Sequence, residues 1–179
     1  MQAITAAPRH GRAIRAVAEL LTRLRVRFLF VGSVARSALL AETVESGSID
    51  ALAAITPEQK NQVAMMASNR GFQVDRSETE ATEELDLVPM IFVDSDGEVR
   101  VHVLVASNAL YGRMVAEGVE TAFDDLTVIV PRPEDFAILL QLSADSAALE
   151  KLACSPEFDR AAYNRKVESI GLRDLVIPE

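Results

Sequence analysis

The chain has 179 residues, 49% hydrophobic and 25% charged, with a formal net charge of −9. That suits one domain with a real apolar core. The 27 acids against 18 bases exclude a broad nucleic-acid footprint, whose affinity comes from cations that neutralise phosphates. One cysteine, Cys154, excludes an intramolecular disulfide and a cysteine zinc cluster.

Other exclusions are local. Cys154 as a nucleophile needs an activating base, and no motif ties it to His10 or His102, the two histidines. No apolar run has the length of a membrane span. The N-terminus reads Arg9-His-Gly-Arg12 where a secretory signal would carry an apolar stretch. The expectation is a cytoplasmic protein. Arg12, Arg15, Arg23, Arg25 and Arg27 form one basic cluster, read as the solvated face of an amphipathic helix.

Residues 1–9 read as a lead-in. Ile14, Val17, Leu20, Leu21 and Leu24 have helical spacing, which predicts a helix from about His10 to Arg25. Phe28 to Val31 is a continuous apolar run and predicts a buried strand. Gly32-Ser33 ends it, and Ser33 is expected to cap a helix from Val34 to about Ala41. Glu42 to Gly47 is a polar connection, and Ile49 to Ile55 returns to strand. Thr56-Pro-Glu-Gln59 carries a capping box with proline at the first helical position. Val63, Met66 and Ala67 face inward, Met65-Met66 and Met90 read as core packing, and Gly71 stops the helix.

Phe72 to Asp75 is a short strand and Arg76 to Glu84 an acidic, exposed loop. Leu87 to Val93 and Val99 to Val105 form a hairpin around Asp94-Ser-Asp-Gly97. Pro89 places its strand at an edge or delays its start. A helix over Asn108 to Glu117 and a strand over Leu126 to Val130 follow. Pro131-Arg-Pro-Glu-Asp135 opens a buried helix whose two acids face the positive end of its dipole. Helices near 146–153 and 157–170 close the chain. The fold class is therefore α/β or α+β, on a mixed sheet flanked by helices. The expected organisation is a single domain over 1–179, with a core over 10–145 and a C-terminal helical extension over 146–179.

The strand ending in Gly32-Ser33, the next strand Ser48-Ile49-Asp50-Ala51-Leu52, the later Val101-His102-Val103-Leu104 and the helix start Pro133-Glu134-Asp135-Phe136 resemble the nucleotidyltransferase-like superfamily. The likeness is closest to minimal nucleotidyltransferases and the AbiEii-type toxin proteins of abortive-infection systems. It covers residues 10–145, and order and spacing carry it more than any single motif. It implies that Gly32 and Ser33 hold a nucleotide, and that two carboxylates one residue apart on the second strand and a third on a later strand bind Mg²⁺. The chemistry explains the pattern. Two Mg²⁺ ions neutralise phosphates and activate the attacking group, and side chains two apart on a strand share one face.

Against that pattern the chain keeps Asp50 alone. Either Ser48 replaces the first carboxylate, or Asp50 is the first and Leu52 replaces the second. His102 stands where the third acid belongs, and Leu140 stands about where the family carries a lysine. Loss of one charge-stabilising group costs ~10²–10³ in rate, so loss of two carboxylates argues against two-metal transfer unless Glu42, Glu45 or Asp86 converges. The leading reading is a catalytically degenerate member of the family in a bacterial toxin–antitoxin or defence unit. It would bind a nucleotide, a small molecule or a protein partner, with no metal assigned. Two alternatives stay open: an active enzyme using Mg²⁺, a nucleoside triphosphate and unconventional carboxylates, and a structural domain that forms a homodimer through its C-terminal helices.

Overall fold

The computed structural model describes residues 8–43, 47–74 and 86–177. The expected acidic loop Arg76–Glu84, Glu45 and the first seven residues of the lead-in lie outside the described residues. In chain order the elements are α1 (Pro8–Arg23), β1 (Phe28–Phe30), α2 (Gly32–Leu40), β2 (Ile49–Ala53), α3 (Pro57–Ser68), β3 (Phe72–Val74), β4 (Leu87–Asp94), β5 (Gly97–Val105), α4 (Ala109–Glu117), β6 (Val119–Phe123), β7 (Leu126–Val130), α5 (Pro133–Leu142), α6 (Ser146–Ala153) and α7 (Arg160–Ser169), then a short 3-10 turn, Arg173–Leu175. None of the described helices is long and apolar enough to cross a membrane.

A five-stranded sheet runs in the order β1-β2-β5-β4-β3. Only β2 and β5 pair in parallel; the other neighbours are antiparallel, so the sheet is mixed as expected. β5 alternates buried Val99, Val101, Val103 and Val105 with more exposed neighbours, because side chains two apart share a face. The parallel strands come from distant segments. They bring the short, almost wholly buried β2 beside the half of β5 farther from the hairpin turn, Val101–Val105.

Local signals account for most boundaries. The capping box at α3 forms, with Gln59 Oε1 accepting from the Thr56 N–H at 2.8 Å. Asn108 caps α4 by accepting from the Tyr111 N–H. The β4–β5 turn closes at Asp94 opposite Gly97, whose φ of +120° suits glycine.

Four expectations change. Pro89 lies on an interior strand, yet the β3 pairing reaches only Met90. A residue without an N–H is tolerated there because it falls just past the last described β3 pair. The lead-in is shorter than expected, since Pro8 and Arg9 already belong to α1. Met65 is 66% exposed and not core, because it lies off the face defined by Val63 and Ala67. Finally, β6 was not anticipated. It pairs with β7 as a separate hairpin across Asp124-Asp125, and this second sheet lies against β1. Helices α6 and α7 both pack on α5, and α6 also meets α2.

Candidate functional site

The sheet and α2 gather five residues that the sequence singled out. Gly32 and Ser33 start α2 at the end of β1, Ser48 and Asp50 lie on and before β2, and His102 lies on β5. In the parallel pairing Asp50 stands opposite His102. Asp50 Oδ1 lies 2.8 Å from His102 Nδ1 and accepts from Ser48 Oγ at 2.7 Å. With Asp50 ionised, the imidazole Nδ1–H is the donor. Leu52, the alternative replaced position, is buried in the core.

Gly32 is the closest neighbour on the other side. Its φ is +54°, and a Cβ built on it would lie 2.5 Å from Asp50 Oδ2. Glycine therefore meets two demands here, a left-handed backbone and direct approach of a carboxylate. The Val31 N–H donates to the Asp50 backbone oxygen at 2.9 Å, which completes the junction of β1, α2 and β2.

Ser33 is not the cap of α2. The helix begins at Gly32, so the cap position falls on Val31, which offers no side-chain oxygen. Ser33 Oγ instead donates to the Ser48 backbone oxygen at 2.9 Å and ties α2 to the start of β2. The first amides of α2 carry no side-chain cap, and Val31, Gly32 and Ser33 line a cavity of about 430 Å³. Arg36 and Asp50 complete that wall, and Leu104, Phe136, Leu139 and Leu140 form the apolar one. This volume is in the range of small-molecule sites.

Sequence reasoning missed Arg36 and Asp145, and of the α5 wall it singled out Leu140 alone. Arg36 was within reach, because it lies four residues after Gly32 on a helix and so on the same face. Its guanidinium donates to Glu42 at 2.9 Å and also to Asp145. Lys151 reaches the other Glu42 oxygen at 3.3 Å. Asp145 accepts from the Ala148 N–H, capping α6, and that bond, together with Arg36, holds its carboxyl below the ordinary range.

Mg²⁺ requires near-octahedral oxygen ligands at ~2.0–2.1 Å, and the residues present do not fit it. Asp50 Oδ1 already accepts two side chains, and Oδ2 abuts Gly32. Of the acids that might converge, Glu42 is held by Arg36 and Lys151. Asp86 is half exposed and lies 3.5 Å from Lys60. Among the described residues, no group of three or more His, Cys, Asp or Glu side chains could hold a metal ion.

No family model matches the chain, and no curated protein does. Solved structures do match in fold. An antigenic nucleotidyltransferase-like protein from Paracoccidioides brasiliensis superposes with a TM-score of 0.61 at 12% identity, over 92% of this chain and 90% of that one. The antibiotic-resistance factor ANT(2'')-Ia superposes with a TM-score of 0.51 at 16% identity, over 88% of this chain and 92% of that one. The chain therefore has the nucleotidyltransferase-like fold.

Proposed function

We propose that this is a nucleotidyltransferase-fold protein that does not carry out two-metal nucleotidyl transfer and uses the cleft between α2, β2 and α5 to hold a nucleotide or similar small ligand. The observation that carries the reading is the state of Asp50. It is the one carboxylate at the family's metal positions, and its Oδ1 accepts from Ser48 and His102 while Oδ2 fills the space a side chain at Gly32 would take. A metal would have to displace the Ser48 and His102 donors, and with one carboxylate it would gain little. The uncapped amides at the start of α2 favour an anionic group, and the Phe136, Leu139 and Leu140 wall favours an apolar body beside it. On this reading Asp50 lines the cleft, His102 holds its carboxylate in place, and neither performs phosphoryl chemistry.

The test is a panel of nucleotides measured by calorimetry and thermal shift, with Mg²⁺ and with EDTA, beside an assay for released pyrophosphate. A ligand at ~100 times its dissociation constant adds ~2.7 kcal/mol, or ~5–10 °C in melting temperature at this chain length. The expected result is stabilisation that EDTA leaves intact, with no pyrophosphate. Mg²⁺-dependent pyrophosphate release that Asp50→Asn abolishes would refute the reading.

A further inference from the structure

At the far end of β1 from Gly32, a second cavity of about 450 Å³ opens between the α1–β1 turn, the end of α4 and β7. Arg25 and Arg27 line it over an apolar floor of Val26, Phe28, Val115 and Ile129. We infer that it is a binding site for a small organic anion: a phosphate or carboxylate group held by the arginines, with an apolar body on the floor.

Three observations carry this. First, the arginines are unspent. Arg12, Arg15 and Arg36 are ion-paired to Asp94 and Asp96, to Asp125, and to Glu42 and Asp145. Arg23, Arg25 and Arg27 have no side-chain hydrogen bond or ion pair to any described residue. In a chain of net charge −9, three uncompensated guanidiniums in five residues form a local field of opposite sign. Glu117, between the lining residues Ala116 and Gly118, lies 3.4 Å from Lys166 Nζ, and Glu120 stands cross-strand from Ile129.

Second, the turn holds Arg25 at a conformational cost. α1 ends in a Schellman arrangement, with the Val26 N–H donating to Leu21 O and the Arg25 N–H to Thr22 O. The position in the left-handed region is normally glycine, and here it is Arg25 at φ +54°. Third, the shape suits a small molecule. An apolar hollow with cations at its rim suits an anion with a hydrophobic part. Arginine forks match phosphate and carboxylate oxygens in pairs. A single-stranded nucleic acid would want successive stacking platforms along a groove, and Phe28 is the one aromatic in this lining.

The experiment is a titration of the labelled full chain with phenyl phosphate, followed by amide and arginine side-chain resonances, with inorganic phosphate, phenol and a short oligothymidylate as comparisons. The expected result is saturable shifts at residues 22–28 and 115–118, separate from those at 31–36, with phenol and inorganic phosphate each about tenfold weaker or more. Added salt weakens binding. Arg25→Gly separates function from structure, because it relieves the left-handed strain. It should melt at or above the native temperature and still bind about tenfold more weakly, while Arg25→Lys binds in between. Arg27→Ala should weaken binding similarly. Unchanged binding in Arg25→Gly, shifts confined to residues 31–36, tighter binding of oligothymidylate at this site, or no shifts at all would each overturn the inference.

Discussion

Asp50 and His102 stand opposite each other on the parallel strands β2 and β5, with Oδ1 2.8 Å from Nδ1. The pairing puts an imidazole where a converging carboxylate would complete a metal site. Ser48, two residues before Asp50, adds a hydroxyl where a second could be. The donor set can therefore be rebuilt without altering the backbone. Ser48→Asp with His102→Asp gathers three carboxylates on one face, which repel one another without a cation. The double variant should melt below the native protein in EDTA and recover in millimolar Mg²⁺ or Mn²⁺, by ~2.7 kcal/mol when the ion exceeds its dissociation constant ~100-fold. The native chain should not respond. Equal stabilisation of the native chain would mean that Asp50 already serves as a metal ligand.

Gly32 should be intolerant of any side chain. A methyl group at this position meets Asp50 Oδ2 at 2.5 Å, on a backbone of φ +54°. The left-handed conformation alone costs an L-residue ~1–2 kcal/mol, and displacing a carboxylate held by two hydrogen bonds adds to it. Gly32→Ala is expected to lose about 2–4 kcal/mol in urea denaturation. In an Asp50→Gly background the steric part disappears, so the same substitution should cost only the backbone term. Equal costs in both backgrounds would show that the Asp50 contact does not matter energetically.

Asp145 does two jobs that substitution can separate. Oδ1 caps α6 through the Ala148 N–H at 3.1 Å, and Oδ2 pairs with Arg36 at the cleft. Asp145→Asn keeps a capping oxygen and loses the charge; Asp145→Ala loses both. N-cap removal costs ~0.5–2 kcal/mol, and a partly exposed ion pair is worth ~1 kcal/mol or less. Alanine should therefore destabilise by about 1–2 kcal/mol and asparagine by well under 1, measured by denaturant unfolding. If asparagine costs as much as alanine, the ion pair and not the cap governs this junction.

The parts of this molecule that were legible in sequence share one property: their cause lies within a few residues. The Thr56–Gln59 box, the Asp94–Gly97 turn and the alternation of β5 are local patterns. So is Gly32, whose need for a left-handed backbone follows from the strand-to-helix turn. What was not legible depends on partners far along the chain. Ser33 looked like a cap because the helix starts two residues earlier than expected, at Gly32, beside the Val31 N–H bond to the Asp50 backbone oxygen. β6 escaped notice because Val119–Phe123 is short and carries Glu120 and Thr121; the Asp124-Asp125 pair before Leu126 was the available turn signal. The His102–Asp50 contact was suggested only by the family likeness, since 52 residues separate the pair. Asp135 is the sharpest miss. Read only as an acid facing the positive end of a helix dipole, it is 2% exposed, and its partner lies 31 residues away on α7.

That partner is Lys166, whose Nζ lies 2.7 Å from Asp135 Oδ1 and 3.4 Å from Glu117 Oε2. The pair fastens α5, which carries Phe136 and Leu140 of the cleft wall, to the C-terminal helix α7. Burial pushes the Asp135 carboxyl above the ordinary range, against the opposing pull of Lys166 and with help from Glu117 and Glu134. A raised folded-state pKa means that the native protein holds this proton more tightly than the unfolded chain does. Its contribution to stability is complete below the unfolded pKa and is lost as pH rises through the folded one. Lys166→Met removes the cation and leaves a buried carboxylate, so it should cost about 3–5 kcal/mol at neutral pH. The deficit should shrink as pH falls through the raised folded-state pKa toward the unfolded value of ~3.9. Asp135→Asn in the Lys166→Met background should recover part of the loss and abolish its pH dependence. Urea denaturation of the three variants across that range is the check. A Lys166→Met deficit that is constant with pH and unrelieved by Asp135→Asn would mean that the side chain matters for its packing and not for its charge.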